Sequence, residues 1–288
     1  MKTSKLALYL LLPTFLVASC STTSDPARFK ETRTLTVDHV SGSAIKVITG
    51  NGAISVKTVD RGDVEIVADL RMTSQERLDA VEVLASRDSS NHLTVEIGWP
   101  EGRKMNNEGC SVRITAPEVD GIELKTANGR VEIDGLSGKA DLHTSNGRIE
   151  VRNHNGNLLC RTSNGAIDVA STSGEIDTSS SNGRIDIRDA TQSVRARTSN
   201  GAVHVSLAEK APGPVNVESS NGAITLDLGS SFGGELELSN SNGSLDVGTL
   251  HNASILSSGK HRMRLKFGDS DNQSRAVSSN GSIHVHQL

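Results

Sequence analysis

Four acids spaced at one interval, Glu132, Glu150, Asp168 and Asp186, are the residues of this chain with the clearest potential for chemistry. Arginines stand two residues before them, at Arg130, Arg148 and Arg184, and two residues after, at Arg152 and Arg188. Paired carboxylates can act as acid and base on a glycosidic bond, and carboxylates set between guanidinium groups can dock a polyanion or a cation. The plainer reading is a solvated face laced with ion pairs, each contributing about 0–1 kcal/mol. Composition favours the plainer reading, because aromatic residues are 2% of the chain and sugars and unstacked bases need rings to rest on. His284 and His286 share one strand face, His204 sits in the same column as His284, and all three read as solvated histidines rather than metal ligands. Arg61-Gly62-Asp63 reads as ordinary turn chemistry at the entry to a strand. No nucleophile elbow, Walker loop, zinc-spaced Cys/His pair or dinucleotide fingerprint occurs. The sequence therefore points to no catalytic residue, no metal and no cofactor.

The acids recur because a larger unit recurs. Asn128-Gly129, Asn146-Gly147, Asn164-Gly165, Asn182-Gly183 and Asn200-Gly201 follow one another every 18 residues, and Asn221-Gly222 and Asn242-Gly243 continue at 21. Three residues after each Asn stand Val131, Ile149, Ile167, Ile185, Val203, Ile224 and Leu245, and five after it Ile133, Val151, Val169, Ile187, Val205, Leu226 and Val247. With a polar residue between, each copy alternates as a half-buried strand does. A second turn falls half a period later, at Ser137-Gly138, Asn155-Gly156 and Ser173-Gly174, before inward pairs such as Leu142/Ala140 and Cys160/Leu158. Asn-Gly is also the strongest hairpin signal, through a type I′ turn at positive φ, so an antiparallel meander is the competing architecture. Identical columns decide against it: a meander has no reason to repeat at 18, whereas a stack sets each column on itself. The expected fold is all-β, a single-stranded β-helix or solenoid of about 18 residues per coil with strands about 4.8 Å apart. Residues 121–288 form the regular part, with Leu250 to Leu288 as closing coils. Residues 34–120 form an N-terminal capping part, with a short helix over Ser74–Ala80 capped by Thr73 or Ser74.

The N-terminus speaks to compartment. Lys2 and Lys5 precede an apolar run from Leu6 to Ala18 that is too short and interrupted to span a membrane. Val17-Ala18-Ser19-Cys20 followed by Ser21-Thr22-Thr23-Ser24 resembles a bacterial lipoprotein signal. That resemblance implies a signal peptide over residues 1–19, acylation of Cys20 by a palmitate-type lipid anchor, and a polar tether over residues 20–33. Ser21 in place of Asp implies the outer membrane. The overall formal charge of −4 includes the two leader lysines, so the remainder is more acidic still, which disfavours nucleic acid as a partner. Cys110 and Cys160 are the other cysteines; Cys160 falls in an inward column and reads as a small buried hydrophobe.

The run Val112-Arg113-Ile114-Thr115-Ala116-Pro117, followed by Ile122-Glu123-Leu124-Lys125-Thr126-Ala127-Asn128-Gly129-Arg130-Val131-Glu132-Ile133, is similar to the central signature of the DUF4097 putative adhesin domain. Gly52-Ala53-Ile54-Ser55-Val56 and the short helix extend the resemblance over roughly residues 34–285. It implies a β-helix on the cell envelope and brings no catalytic residues. The expected function is a non-catalytic, adhesin-like envelope lipoprotein that binds or scaffolds a protein or glycan. The alternatives are a polysaccharide-active β-helix enzyme and a membrane-attached signalling accessory.

Overall fold

A computed structural model describes residues 29–288, so Cys20 and the leader lie outside the described residues. The chain is nearly all β and forms two long sheets, one of 12 strands and one of 13. Through the middle of the molecule each repeat gives one strand to each sheet, paired in parallel with its equivalents. In the first sheet Val131, Ile149, Ile167, Ile185, Val203 and Ile224 lie in register, each in hydrogen-bonded strands that are direct neighbours. In the second, Ile122, Ala140, Leu158, Ile176, Val194 and Val215 do the same. These rows are buried and merge into one core. A parallel stack, not a meander, is what the column identities demanded.

The turns work differently from a type I′ hairpin. None of the glycines of the repeated Asn-Gly pairs has positive φ. They are required because the coils approach closely: a Cβ on Gly165 would lie 1.7 Å from the carbonyl oxygen of Gly147, and one on Gly183 equally close to that of Gly165. The bend in the other turn column is made by residues that do adopt the left-handed region, Asn153, Ser171 and Asp189.

Stacking order departs from chain order at both ends. Ile45–Ile48 lies between Leu93–Gly98 and Asp120–Thr126, and Ile54–Thr58 between Gly109–Ala116 and Val131–Asp134. At the far end Gln273–Ser278 lies between Val215–Ser219 and Gly234–Asn240, and Ile283–Gln287 between Ile224–Leu228 and Leu245–Val247. The coil carrying Asn242 therefore does not follow that of Asn221, as chain order suggested. The C-terminal coil is interposed, and it closes nothing. A strand inserted this way is hydrogen-bonded along both edges, whereas a terminal coil at the tip of the stack would fray. Three of the four sheet ends are finished instead by antiparallel strands, which blunt an open edge. Asp63–Met72 and Phe29–Asp38 extend the first sheet at the N-terminal end, and Glu82–Arg87 extends the second. Arg262–Phe267 and Ala253–Ser258 extend the second sheet at the other end, where Phe232 and Phe267 meet edge to face at 5.1 Å.

The helix Gln75–Ala80 is capped by Ser74, whose hydroxyl accepts from the Arg77 amide. Its Arg77 clasps the buried Glu108 with two guanidinium contacts, while Thr73 and the Met105 amide satisfy the same carboxylate. These donors, Arg77 foremost, overcome the effect of burial and hold the Glu108 carboxyl down to about 2.

Candidate functional site

The repeated motif Thr/Ser-x-Asn-Gly builds two polar ladders along one edge of the stack. Inside, the hydroxyls of Thr144, Thr162, Ser180, Thr198, Ser219 and Ser278 each donate to the glycine carbonyl of the preceding coil in the stack and accept from the glycine amide of their own. Thr144 reaches Gly129 at 3.0 Å and receives Gly147 at 3.1 Å, and Ser219 reaches Gly201 at 3.0 Å and receives Gly222 at 2.9 Å. Outside, the asparagine amides form a continuous chain. Each Nδ2 donates to the Oδ1 of its neighbour in the order Asn51, Asn128, Asn146, Asn164, Asn182, Asn200, Asn221, Asn280, Asn242. Aligned amides polarise one another, so the ladder stiffens the edge from which the strands depart. The hydroxyl two residues before every ladder Asn except Asn242 is visible in the sequence, but its role depends on a neighbour in another coil.

The same register places Glu132, Glu150, Asp168 and Asp186 directly above one another on the outer face of the first sheet. Like charges opposite one another destabilise, and the flanking arginines answer by reaching diagonally into an adjacent coil, Arg130 and Arg148 into the next and Arg184 into the one before. Arg130 bonds Glu150 at 2.8 Å, Arg148 bonds Asp168 at 2.5 Å, and Arg184 bonds Asp168 at 2.7 Å. Glu150 and Asp186 are buried beneath their arginines. Burial works to raise the Asp186 carboxyl, but Arg188 and His204 outweigh it and hold it below the usual carboxylate range. Arg148 is raised by its bond to Asp168. His204 takes the next place in the column and sets its two ring nitrogens against Asp186, at 3.3 Å, and Asp227, at 2.7 Å. That bridge was not apparent from sequence, because Asp227 belongs to a different column of the following coil. His284 lies one coil beyond Thr225 in this line and contacts Asp246.

The outer face of the second sheet carries two shallow grooves of about 470 and 490 Å³ that share Lys139. Their walls mix Lys46 and Arg195 with Glu123, Asp141 and Asp177. Arg61 of the Arg-Gly-Asp sequence donates to Asp63 at 2.6 Å and to Thr115, so the tripeptide is closed on itself. Cys110 and Cys160 are buried free thiols; burial pushes Cys110 up to about 12 and raises Cys160 further. Among the described residues no group of three or more His, Cys, Asp or Glu side chains is placed to hold a metal ion.

A family model described as a domain of unknown function, DUF7330, matches residues 118–286. The DUF4097 resemblance is thus corrected in its label, though both labels denote domains without an assigned role. No curated protein is significantly similar in sequence. Several solved bacterial structures are similar over most of their length. One from Bacteroides fragilis, named a putative adhesin, is 16% identical over 91% of this chain and 99% of its own, with a TM-score of 0.46. One from Parabacteroides distasonis, named a putative lipid binding protein, is 15% identical over 89% and 96%, at 0.38. One from Clostridium sporogenes, named a putative cell adhesion protein, is 14% identical over 90% and 100%, at 0.29.

Proposed function

This chain belongs to the DUF7330 family of domains of unknown function, so its role has to be read from its own surfaces, and we propose that it is a non-catalytic, adhesin-like β-helix that displays a charged sheet face to an envelope partner. The observation that carries this reading is the diagonal lattice of arginines and acids on the first sheet. A glycosidase needs one carboxyl group kept protonated and a second left free for the sugar. Here the column carboxylates are engaged by guanidinium groups, and Asp186 is held ionised. Such a face suits a broad, salt-sensitive contact with a protein or an acidic glycan rather than turnover. The repeat of about 18 residues per coil supports a rod whose face lengthens by one identical row per repeat.

In this reading the rod is lipid-anchored through Cys20 and stands on the outer membrane, which rests on the signal-like residues Val17 to Ser21. Soluble protein without the leader should bind isolated envelopes in a salt-dependent manner, and Arg148→Glu with Arg184→Glu should reduce that binding at least about tenfold. Undiminished binding by the variant, or release of reducing ends from envelope polysaccharide, would overturn the proposal. Cys20→Ala should abolish palmitate labelling of the full chain and free it from the membrane fraction. Labelling that persists removes the anchor from the account.

A further inference from the structure

Asn-Gly is the dipeptide whose asparagine deamidates most readily, since glycine offers no side chain to hinder attack by its own amide nitrogen. The Gly nitrogen gives up its proton and bonds to the Asn Cγ; the bond from Cγ to Nδ2 breaks, and ammonia leaves. Water then opens the resulting succinimide to aspartate or isoaspartate. Two conditions must be met: the glycine N–H has to be free, and the side-chain amide has to rotate onto it.

The ladder denies both through most of its length. At Gly147, Gly165, Gly183, Gly201, Gly222 and Gly281 the amide N–H is donated to the inward hydroxyl three residues before it. The asparagine preceding each of these glycines donates to one neighbour and accepts from another. Among the described residues Gly129 and Gly52 make no such bond, and there only the second condition is denied: Asn128 is held on both sides, and Asn51 accepts from Asn128 while donating to the carbonyl of Glu108. Asn242 is the exception. It is exposed, it donates to Asn280 at 2.9 Å, and among the described residues nothing donates to its Oδ1. Residue 240 is Asn, not Ser or Thr, so Gly243 lacks the hydroxyl acceptor, and the Asn240 side-chain Oδ1 faces the His261 ring Nδ1 at 3.0 Å instead. The strand that follows, Leu245–Val247, is the last of its sheet.

We propose that Asn242 is a site of spontaneous modification, the one ladder position at which deamidation proceeds in the folded chain. Converting it to a carboxylate removes the Nδ2 donor and sets an acceptor against Asn280 Oδ1, which loosens the end coil. The other turn's Asn155-Gly156 lies outside the ladder and outside this comparison.

The test is peptide mapping by mass spectrometry of the folded full chain during incubation in mildly alkaline buffer. Asn242 should deamidate at least about tenfold faster than Asn164, Asn182 and Asn200, the factor that one blocked step of ordinary hydrogen-bond strength supplies. In denaturant the ladder positions should react at comparable rates. Asn240→Thr, which restores the hydroxyl, should slow Asn242, and Thr162→Val should accelerate Asn164 while leaving Asn182 unchanged. Equal rates at Asn242 and Asn164 in the folded chain, or an Asn240→Thr chain that reacts as fast as the unaltered one, would overturn the proposal.

Discussion

Between Asp120 and Leu228 the strands stack in the order in which they occur along the chain, and a residue bonds partners 18 or 21 positions away. At the ends the partners lie much further off: Thr126 bonds Gly52 across 74 positions, and Asn280 bonds Asn221 across 59. The chain's first coil sits second in the stack and its last coil sits second from the other end. Each doubling of loop length costs only about 0.6 kcal/mol in closure entropy, while an interposed coil gains a hydrogen-bonded neighbour on both edges. The contrast teaches that the motif encodes how one coil rests on another without encoding which coil comes next.

The largest effect expected from breaking this contrast comes from the C-terminus. Ending the chain at Asp269 withdraws a coil from between two others and exposes the buried faces of Ile224, Leu226, Leu236 and Leu238. Cooperative thermal unfolding should be lost or the product insoluble. Deleting residues 147–164 removes nearly as much chain from the middle but restores every column, so that product should remain soluble, β-rich by circular dichroism and cooperative in melting. Next in size is Gly165→Val. With a Cβ position 1.7 Å from the Gly147 carbonyl oxygen, it should destabilise by more than about 3 kcal/mol, and a melting temperature near that of the unaltered chain would exclude the close approach.

The alternating rows, the acid column and the short helix were legible because each depends on residues close in sequence. Ile149, Ile167 and Ile185 announce one another by spacing alone. The interposed coils were not legible, because Asn51-Gly52 and Asn280-Gly281 carry the same motif as any middle copy and nothing local distinguishes their neighbours. Positive φ at Asn-Gly was expected from hairpins, but in a stack glycine serves by lacking a Cβ rather than by its dihedral freedom. His204 escaped notice as a bridge because its second partner, Asp227, is brought near only by the stacking.

The N-terminal cap and the middle array also differ in how their charges are held. Glu108 is buried and held down to about 2 from an ordinary 4.5. A carboxyl depressed by folding contributes stability above its unfolded value and loses it as pH falls through the folded one. Glu108→Gln should therefore destabilise by about 1.5–3 kcal/mol at neutral pH, with the difference from the unaltered chain shrinking as pH falls from about 4.5 towards 2. Melting curves across that range check it. The smallest effect belongs to the array surface: Arg148→Ala should cost about 0–1 kcal/mol in chemical denaturation, and less in high salt.

The measurement that tests the interposed coil most directly is disulfide capture in a background lacking Cys20, where the two remaining native thiols are buried. Thr225 and His284 are register partners in adjacent strands, and Asp246 lies on the far side of His284. Thr225→Cys with His284→Cys should cross-link rapidly under mild oxidation, and Thr225→Cys with Asp246→Cys, two strand spacings or roughly 10 Å apart, should not. Cross-linking of the second pair and not the first would mean that the stack follows chain order to its end.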